Sequence, residues 1–167
     1  MPNMKESIKK SIEDKGLPLF ADGKTGLPLY ISLRKLPLQF QFGVSKIQPF
    51  FKGLTEGKIL MTKCKSCSEK FFPPQADCPK CQESNMDWIP LTGKGELLTC
   101  TMIFVKPTTH AHYDDYIVGI AEMEEGVRVL ARVKTDKPKQ IKPRMKLNLT
   151  VVKREPEGFL TYEFVPE

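Results

Sequence analysis

The sequence lacks the features that would place it in a membrane, a secretory pathway or a nucleotide-binding sheet. No apolar run approaches the roughly 20 residues that span a bilayer. Residues 1–7 contain neither the apolar stretch nor the cleavage site of a signal peptide. The alternation of strands and helices that builds a parallel α/β sheet is also missing. We therefore expect a cytoplasmic protein without a membrane span, and the sequence does not favour a Rossmann fold.

Side chains suited to catalysis are scarce. The two histidines, His110 and His112, lie in a turn-rich interval beside Asp114 and Asp115. Such a run is compatible with a metal site but is more typical of a solvated loop. Cys100 lies within a predicted strand and has no histidine near it in sequence, which favours a buried apolar thiol over a nucleophile. We do not expect an enzyme that acts alone.

Four of the five cysteines form two CxxC pairs. Cys64 and Cys67 make the first pair, and Cys78 and Cys81 make the second after ten intervening residues. Zn²⁺ binds four thiolates tetrahedrally, and a hairpin between the pairs would bring them together. Iron is a less common occupant, and two disulfides or unrelated thiols are the alternative. Because the protein fills every ligand position, the pattern predicts a structural zinc ion. A thiolate-bound metal and an unpaired Cys100 both suit a reducing compartment.

The net charge of +6 is unevenly distributed along the chain. Residues 1–60 contain ten Lys/Arg and five Asp/Glu, whereas residues 61–167 contain sixteen and fifteen. Four thiolates around one zinc ion would add a further local charge of about −2. Non-specific nucleic-acid binding needs several clustered phosphate contacts. The overall charge therefore gives such binding only weak support.

Residues 1–57 are predicted to form a helix, an extended Pro-containing arm and a short second helix. The first helix begins near Asn3 and ends at Gly16, with an apolar stripe of Met4, Ile8 and Ile12. A Leu-Pro-Leu motif then recurs at spacings of ten and nine residues, beginning at residues 17, 27 and 36. Each proline favours extended backbone. The arm either lies across its own domain or docks on a partner, and the sequence leaves both open.

The short second helix is predicted by a proline, an apolar face and a terminal glycine. Ser45 or Gln48 is expected to cap it. The other signals are Pro49 at the first helical position, an apolar face of Phe50, Phe51 and Leu54, and Gly57 at the end.

The rest of the chain is predicted to be β structure. Residues 58–92 form the zinc ribbon, with a strand over residues 58–63 leading into Cys64. Residues 93–167 alternate in the manner of strands, and the predicted strands are 96–105, 116–123, 127–133, 146–153 and 159–165. Five short strands with one longer connection fit a five-stranded OB-fold barrel.

Further local motifs follow one another in order from about Gln48 onward: Pro49–Lys58, the strand into Cys64, Phe72-Pro73-Pro74, the second cysteine pair, Gly93-Lys94-Gly95 and Glu125-Gly126-Val127-Arg128. In these motifs the chain resembles the zinc-ribbon/OB-fold proteins associated with thiolases, the family called domain of unknown function 35. Residues 1–45 match the family pattern poorly.

The resemblance implies a mainly β fold with N-terminal helices, a rubredoxin-like zinc ribbon and a C-terminal OB barrel. It implies a non-catalytic partner of a thiolase-fold enzyme of the acetyl-CoA acetyltransferase type, which helps to hold acyl-CoA or bridges two such enzymes. In some lineages the family joins acetoacetyl-CoA thiolase to hydroxymethylglutaryl-CoA synthase, at the head of the mevalonate route. Other relatives accompany steroid side-chain thiolases or aldolases.

A CoA thioester would need an apolar groove for its pantetheine arm and cations for its phosphates. The candidate groove residues are Phe50, Phe51, Phe72 and Trp88. The candidate phosphate contacts are Lys139, Lys142 and Arg144, in the basic connection that follows the second barrel hairpin. The alternatives are a packing layer for the aromatic residues and a solvated loop for the basic ones.

The competing function is an RNA- or single-stranded-DNA-binding module, because ribbons and OB folds are common in that class. The predicted tip between barrel strands two and three, residues 122–125, carries three glutamates that would repel phosphates. Arg128, Leu130 and Arg132 share one face and argue mildly for nucleic acid. Tyr116 alone offers few stacking surfaces, so we expect nucleic acid to be the less suitable partner.

Overall fold

The computed structural model describes residues 4–32, residue 41 and residues 43–167. The chain divides into two compact units, Met1–Phe42 and Gly43–Glu167, and each is described by itself. The domain boundaries predicted after residues 57 and 92 stay a prediction. None of the described helices combines the length and the apolar character needed to cross a bilayer.

The first unit begins with helix α1, Met4–Lys15. Gly16 ends the helix as predicted, because its φ of 69° suits glycine and its N–H donates to the carbonyl of Ile12 at 2.8 Å. Ile8 is buried, whereas Ile12 is 46% exposed. The buried stripe is therefore narrow. The cap predicted at Asn3 and the side chain of Met4 lie outside the described residues.

The first two copies of the Leu-Pro-Leu motif form a β-hairpin. Strand β1, Leu19–Ala21, pairs antiparallel with strand β2, Pro28–Tyr30. The turn between them is held by Asp22, whose Oδ1 accepts hydrogen bonds from the N–H groups of Lys24 and Thr25 at 2.7 and 3.2 Å. These two donors lower the pKa of the Asp22 carboxyl. The third copy, at residues 36–38, lies outside the described residues.

The second unit begins with a 3-10 turn, Ser45–Ile47, and helix α2, Gln48–Thr55. Phe50 and Leu54 are buried, whereas Phe51 on the same short helix is 42% exposed. The predicted cap was wrong, because Ile47 occupies the N-cap position and no side chain caps the helix. Instead of a side-chain cap, a 3-10 turn leads directly into the first turn of the helix.

The zinc-ribbon part is a three-stranded sheet in the order β4-β3-β5. Its strands are β3, Leu60–Cys64, β4, Lys70–Phe71, and β5, Met86–Pro90. Thr62 at the centre of β3 is fully buried, and its hydroxyl accepts a 2.9 Å hydrogen bond from the N–H of Gln75. The loop between the cysteine pairs is thereby attached to the central strand.

The remaining strands close into a five-stranded barrel in the order β10-β8-β7-β6-β9. The strands are β6, Lys94–Ile103, β7, Tyr116–Met123, β8, Arg128–Val133, β9, Lys146–Arg154, and β10, Phe159–Pro166. All pairs are antiparallel except β8 with β10, which runs parallel and closes the barrel. This arrangement confirms the predicted ribbon followed by an OB-fold barrel.

The barrel core follows the alternation of its strands. Its innermost residues are fully buried, and they are Leu97, Ala121, Val129, Leu147 and Phe164. The first barrel strand ends earlier than predicted, since Phe104 and Val105 lie beyond it and are 67% and 92% exposed. Their β propensity is overridden because the chain leaves the barrel before Pro107.

Candidate metal centre and ligand surfaces

The four paired cysteines come together in one cluster. Their sulfur atoms all lie within 4.8 Å of one another. The Cys64 and Cys81 sulfurs are 3.5 Å apart, and those of Cys67 and Cys78 are 3.6 Å apart. Tetrahedral zinc with Zn–S bonds of about 2.3 Å requires S···S distances of about 3.8 Å. These two separations are near that value, so the four sulfurs are arranged suitably for a ZnS₄ centre.

Each CxxC pair is shaped by the same backbone hydrogen bonds. The N–H of Ser68 donates to the carbonyl of Cys64 at 2.9 Å, and the N–H of Gln82 donates to the carbonyl of Cys78 at 2.8 Å. Ser68 and Gln82 both have positive φ, at 61° and 62°. Two equivalent turns thus face each other across the cluster, as a ribbon with two zinc knuckles requires.

Backbone amides also point at the sulfur atoms. The N–H of Cys67 lowers the pKa of the Cys64 thiol to about 7. The N–H of Glu83 favours the thiolate of Cys81, but burial and hydrogen bonds with neighbouring cysteines outweigh it and raise its pKa to about 12. A bound divalent cation would hold all four sulfurs as thiolates and would cross-link the two turns. With four protein ligands the centre has no open position for water or substrate, so its role is structural.

Three of the predicted aromatic residues form a cluster, and Tyr162, which the sequence did not indicate, contacts two of them. The ring of Phe50 lies 6.2 Å from that of Phe72 and 6.3 Å from that of Tyr162, and the Phe72 and Tyr162 rings are 5.4 Å apart. Phe51 packs edge-on against Phe50 at 5.4 Å. Helix α2, the ribbon and the barrel therefore meet at one aromatic cluster.

Burial divides this cluster into interior and surface residues. Phe50 is buried, Phe72 and Tyr162 are half-buried, and Phe51 remains exposed. Burial raises the pKa of the Tyr162 hydroxyl. Trp88 lies on β5 and borders a small surface groove with Lys46 and Asp77. That Trp88 and the three phenylalanines form one CoA groove stays a prediction.

The basic connection lies between strands β8 and β9. It contains a short 3-10 turn, Pro138–Gln140, and Lys139, Lys142 and Arg144 are all exposed. Arg144 has a positive φ of 70°, and its N–H donates to the carbonyl of Leu97 on β6 at 2.7 Å. The connection is thus attached to the barrel at its end, while its cationic side chains face solvent.

Comparisons with known proteins agree with this architecture. Residues 51–87 match the family described as ChsH2, rubredoxin-like zinc ribbon domain, and residues 88–159 match ChsH2, C-terminal OB-fold domain. A DUF35 domain-containing scaffold protein of Methanocaldococcus jannaschii is 30% identical over 111 residues, which are 64% of this chain and 78% of that protein. The chain belongs to the DUF35 family.

Two further proteins are similar to this chain. A DUF35 domain-containing scaffold protein of Pyrococcus furiosus is 28% identical over 110 residues, covering 64% of this chain and 80% of that protein. The solved structure of the Ltp2-ChsH2(DUF35) aldolase is similar with a TM-score of 0.62 and 22% identity, and the match covers 71% of this chain and 92% of that chain. The structural similarity supports the ribbon and barrel fold.

The histidine loop of this DUF35 protein is held by a carboxylate. The Tyr113 hydroxyl donates to Glu157 in the turn between β9 and β10, and the imidazole of His112 lies 3.1 Å from the other oxygen of that carboxylate. Among the described residues, the four cysteines are the group arranged for a metal ion, and the histidines do not join one. Cys100 on β6 is half-buried against the core rather than fully buried.

Sequence reasoning missed the stacking partners of Arg132. Its guanidinium lies 4.2 Å from the ring centre of Tyr113 and 4.0 Å from that of Tyr116. This cation is therefore shared by two rings on the face where OB folds often bind oligonucleotides. The alternation of Arg128, Leu130 and Arg132 indicated the face, but no local signal indicated that a loop from the preceding connection would cover it.

Proposed function

We propose that this protein is a non-catalytic scaffold subunit of a thiolase-fold enzyme that processes acyl-CoA, and that it acts in the cytoplasm. The observation that carries the proposal is the DUF35 ribbon-and-barrel unit, shared with relatives described as scaffold proteins. A zinc centre closed by four cysteines supports it, because such a centre stabilises a fold without offering a reaction site.

The partner is proposed to be an enzyme of the acetyl-CoA acetyltransferase type. The structural neighbour, an Ltp2-ChsH2(DUF35) aldolase, pairs a DUF35 chain with Ltp2. A bridge between acetoacetyl-CoA thiolase and hydroxymethylglutaryl-CoA synthase, in the mevalonate pathway, is the form of scaffolding that the family resemblance favours. Both enzymes act on CoA thioesters, so one non-catalytic subunit could contact both.

The zinc ligands are proposed to be Cys64, Cys67, Cys78 and Cys81, and their clustered sulfurs support this. For the CoA thioester, exposed Phe51 and the basic side chains Lys139, Lys142 and Arg144 remain candidate contacts. Phe50 is buried, and Phe72 and Trp88 are half-buried. We propose that Phe50 supports the surface from beneath and that Phe72 and Trp88 remain candidate contacts through their exposed parts.

RNA or single-stranded DNA is less well supported as a ligand. Arg132 is stacked on Tyr113 and Tyr116. The carboxylates of Glu124 and Glu125 accept hydrogen bonds from Thr92, between the ribbon and the barrel. The exposed basic connection is the feature that favours nucleic acid. Its lysines and arginine are spread along a loop, whereas stacking of several bases would need exposed aromatic residues beside them.

A tagged pull-down from native lysate distinguishes the two functions. The lysate is treated with nuclease, washed at moderate salt and analysed by mass spectrometry. We expect a thiolase-fold enzyme to be recovered with and without nuclease. Recovery of ribosomal or other nucleic-acid-associated proteins alone, lost after nuclease treatment, would overturn the scaffold proposal.

A further inference from the structure

Strand β9 has an open edge beyond the point where β6 leaves it. β9 pairs with β10 along almost its whole length, but β6 pairs with it only over Lys146–Asn148. The last contact on that side is a 2.6 Å hydrogen bond from the N–H of Leu149 to the carbonyl of Gly93. From there the second half of β9 continues without a neighbour on this edge, within the part of the chain that the structure describes.

Gly93 immediately precedes β6 and explains why β6 does not extend farther along β9. Its φ is 87°, which favours glycine, and a Cβ at this position would lie 2.9 Å from the carbonyl oxygen of Leu149. The chain therefore lies close to β9 at Gly93 and away from it before that residue. The edge of β9 beyond Leu149 is consequently left open at the junction of ribbon and barrel.

The alternation of an antiparallel strand identifies the free groups on this edge. Since the N–H of Leu149 faces away from β10, those of Val151 and Lys153 face the same way. Thr150 and Val152 face β10 and belong to its ladder. No backbone partner for the N–H of Val151 or Lys153 exists among the described residues. Unpaired groups of this kind can pair with a further strand.

A groove of about 370 Å³ lies directly against this edge. Its lining consists of residues 149–151 of β9 together with residues 57–59 and 90–93. Ile59, Leu91 and Val151 make the lining partly apolar. Because residues outside the barrel sheet share this lining with the edge of β9, the space suits one extended chain rather than the edge of another sheet.

We infer that an extended segment of the partner enzyme binds in this groove by adding a strand to β9. The inference rests on the proposed scaffold function for the identity of the partner. Backbone pairing to Val151 and Lys153 supplies the register, and an apolar side chain of the segment contacts the lining. This is peptide recognition by β-strand addition.

Two lysines near the groove indicate which charges the partner segment carries. Lys58 lines the groove, and Lys153 lies at the end of the open edge. Their ammonium groups form only exposed pairs, with Glu56 at 3.2 Å and with Glu155 at 3.8 Å. Exposed pairs of this kind are weak and easily exchanged. The segment is therefore expected to carry a carboxylate on each side of its apolar residue.

Hydrogen exchange on the whole protein tests the inference without a substitution. The thiolase-fold enzyme recovered by pull-down is added, and amide exchange is read at each residue by fragmentation mass spectrometry. In the free protein we expect fast exchange at Val151 and Lys153 and slow exchange at Thr150 and Val152. In the complex, exchange at Val151 and Lys153 should slow by about tenfold or more, because those amides become hydrogen-bonded.

Two substitutions of Val151 distinguish the contribution of its backbone N–H to binding from that of its side chain. Val151→Pro removes the outward N–H, and Val151→Ala trims the side chain but keeps that donor. We expect V151P to weaken the complex about tenfold more than V151A. Zinc content and circular dichroism establish that both variants are folded, and if V151P does not fold the exchange measurement alone decides.

The outcomes separate this inference from the function on which it rests. A complex in which exchange at Val151 and Lys153 is unchanged overturns strand addition and leaves the scaffold function standing. Protection of both amides that grows with concentration in the free protein would assign the edge to a second copy and would also overturn it. Absence of any complex overturns both proposals.

Discussion

The backbone N–H of Thr92 donates a 2.6 Å hydrogen bond to Oε1 of Glu125. Thr92 lies between the ribbon and the barrel, and Glu125 lies in the turn between β7 and β8. Two further bonds join the same parts: the Thr92 hydroxyl donates to Glu124 at 3.2 Å, and Nζ of Lys70 donates to the Glu125 carbonyl at 2.7 Å. The ribbon is thereby attached to one turn of the barrel.

Replacing this carboxylate should loosen the junction. We expect Glu125→Ala to lower the free energy of unfolding by about 1–2 kcal/mol, because a hydrogen bond to a charged group is lost. Urea denaturation measures the change. Glu96→Ala removes the same charge from an exposed strand position and should change stability by less than about 0.5 kcal/mol. Equal effects of the two substitutions would contradict the role given to Glu125.

Removing a zinc ligand should unfold the ribbon. The sheet of β3, β4 and β5 is small, so the metal supplies folding free energy that its core cannot. We expect Cys78→Ser to lose the zinc ion, measured by inductively coupled plasma mass spectrometry, and to lower the melting temperature. Cys100→Ser is the matched control and should keep one zinc ion per chain. A C78S protein without zinc but with unchanged melting would refute the structural role.

Acidification should release the histidine loop from the turn that holds it. The hydroxyl of Tyr113 is the main cause that lowers the pKa of Glu157, opposed by burial and assisted by His112. A carboxyl with a lowered folded-state pKa stabilises the fold above its unfolded value of about 4.3, and this stabilisation is lost as the pH falls through the lowered value.

NMR chemical shifts of Tyr113 and His112 report this contact. We expect them to change at acidic pH in the natural protein, over a range below the ordinary glutamate pKa. Glu157→Gln removes the titrating group, so its spectra should lack that transition. The same acidic transition in E157Q would show that another group controls the loop.

Residues 43–167 should fold without the first unit. They contain the ribbon, the closed barrel and the hydrophobic core that includes Phe50, Val129 and Phe164. We expect this fragment to bind one zinc ion and to unfold cooperatively, as measured by metal analysis and thermal denaturation. A fragment that is unfolded with zinc present would show that the first 42 residues are needed for the core.

The ribbon and the barrel strands could be predicted because their signals are local. The two CxxC pairs fix the metal centre by spacing, and alternation placed the strand over Tyr116–Met123 with its observed bounds. Propensity failed where the chain leaves the sheet, and so Val105 was assigned to a strand although it is exposed outside it. The β propensity of a residue does not determine where a barrel strand ends, because that depends on contacts with distant strands.

The contacts between distant segments could not be predicted from the sequence. Tyr162 joins the aromatic cluster of Phe50 and Phe72 from the last strand, and Thr92 meets Glu125 across 33 positions of the chain. Such pairs depend on the parallel contact between β8 and β10 and on the order of the barrel strands.

Reconstitution of the proposed complex tests the scaffold function most directly. The purified protein is mixed with the thiolase-fold enzyme recovered from its own lysate, and size-exclusion chromatography with multi-angle light scattering gives the mass of each species. We predict a stoichiometric complex that survives nuclease treatment and contains the zinc-bound protein. Two separate peaks with the masses of the free proteins, at concentrations well above those in the lysate, would contradict the scaffold function.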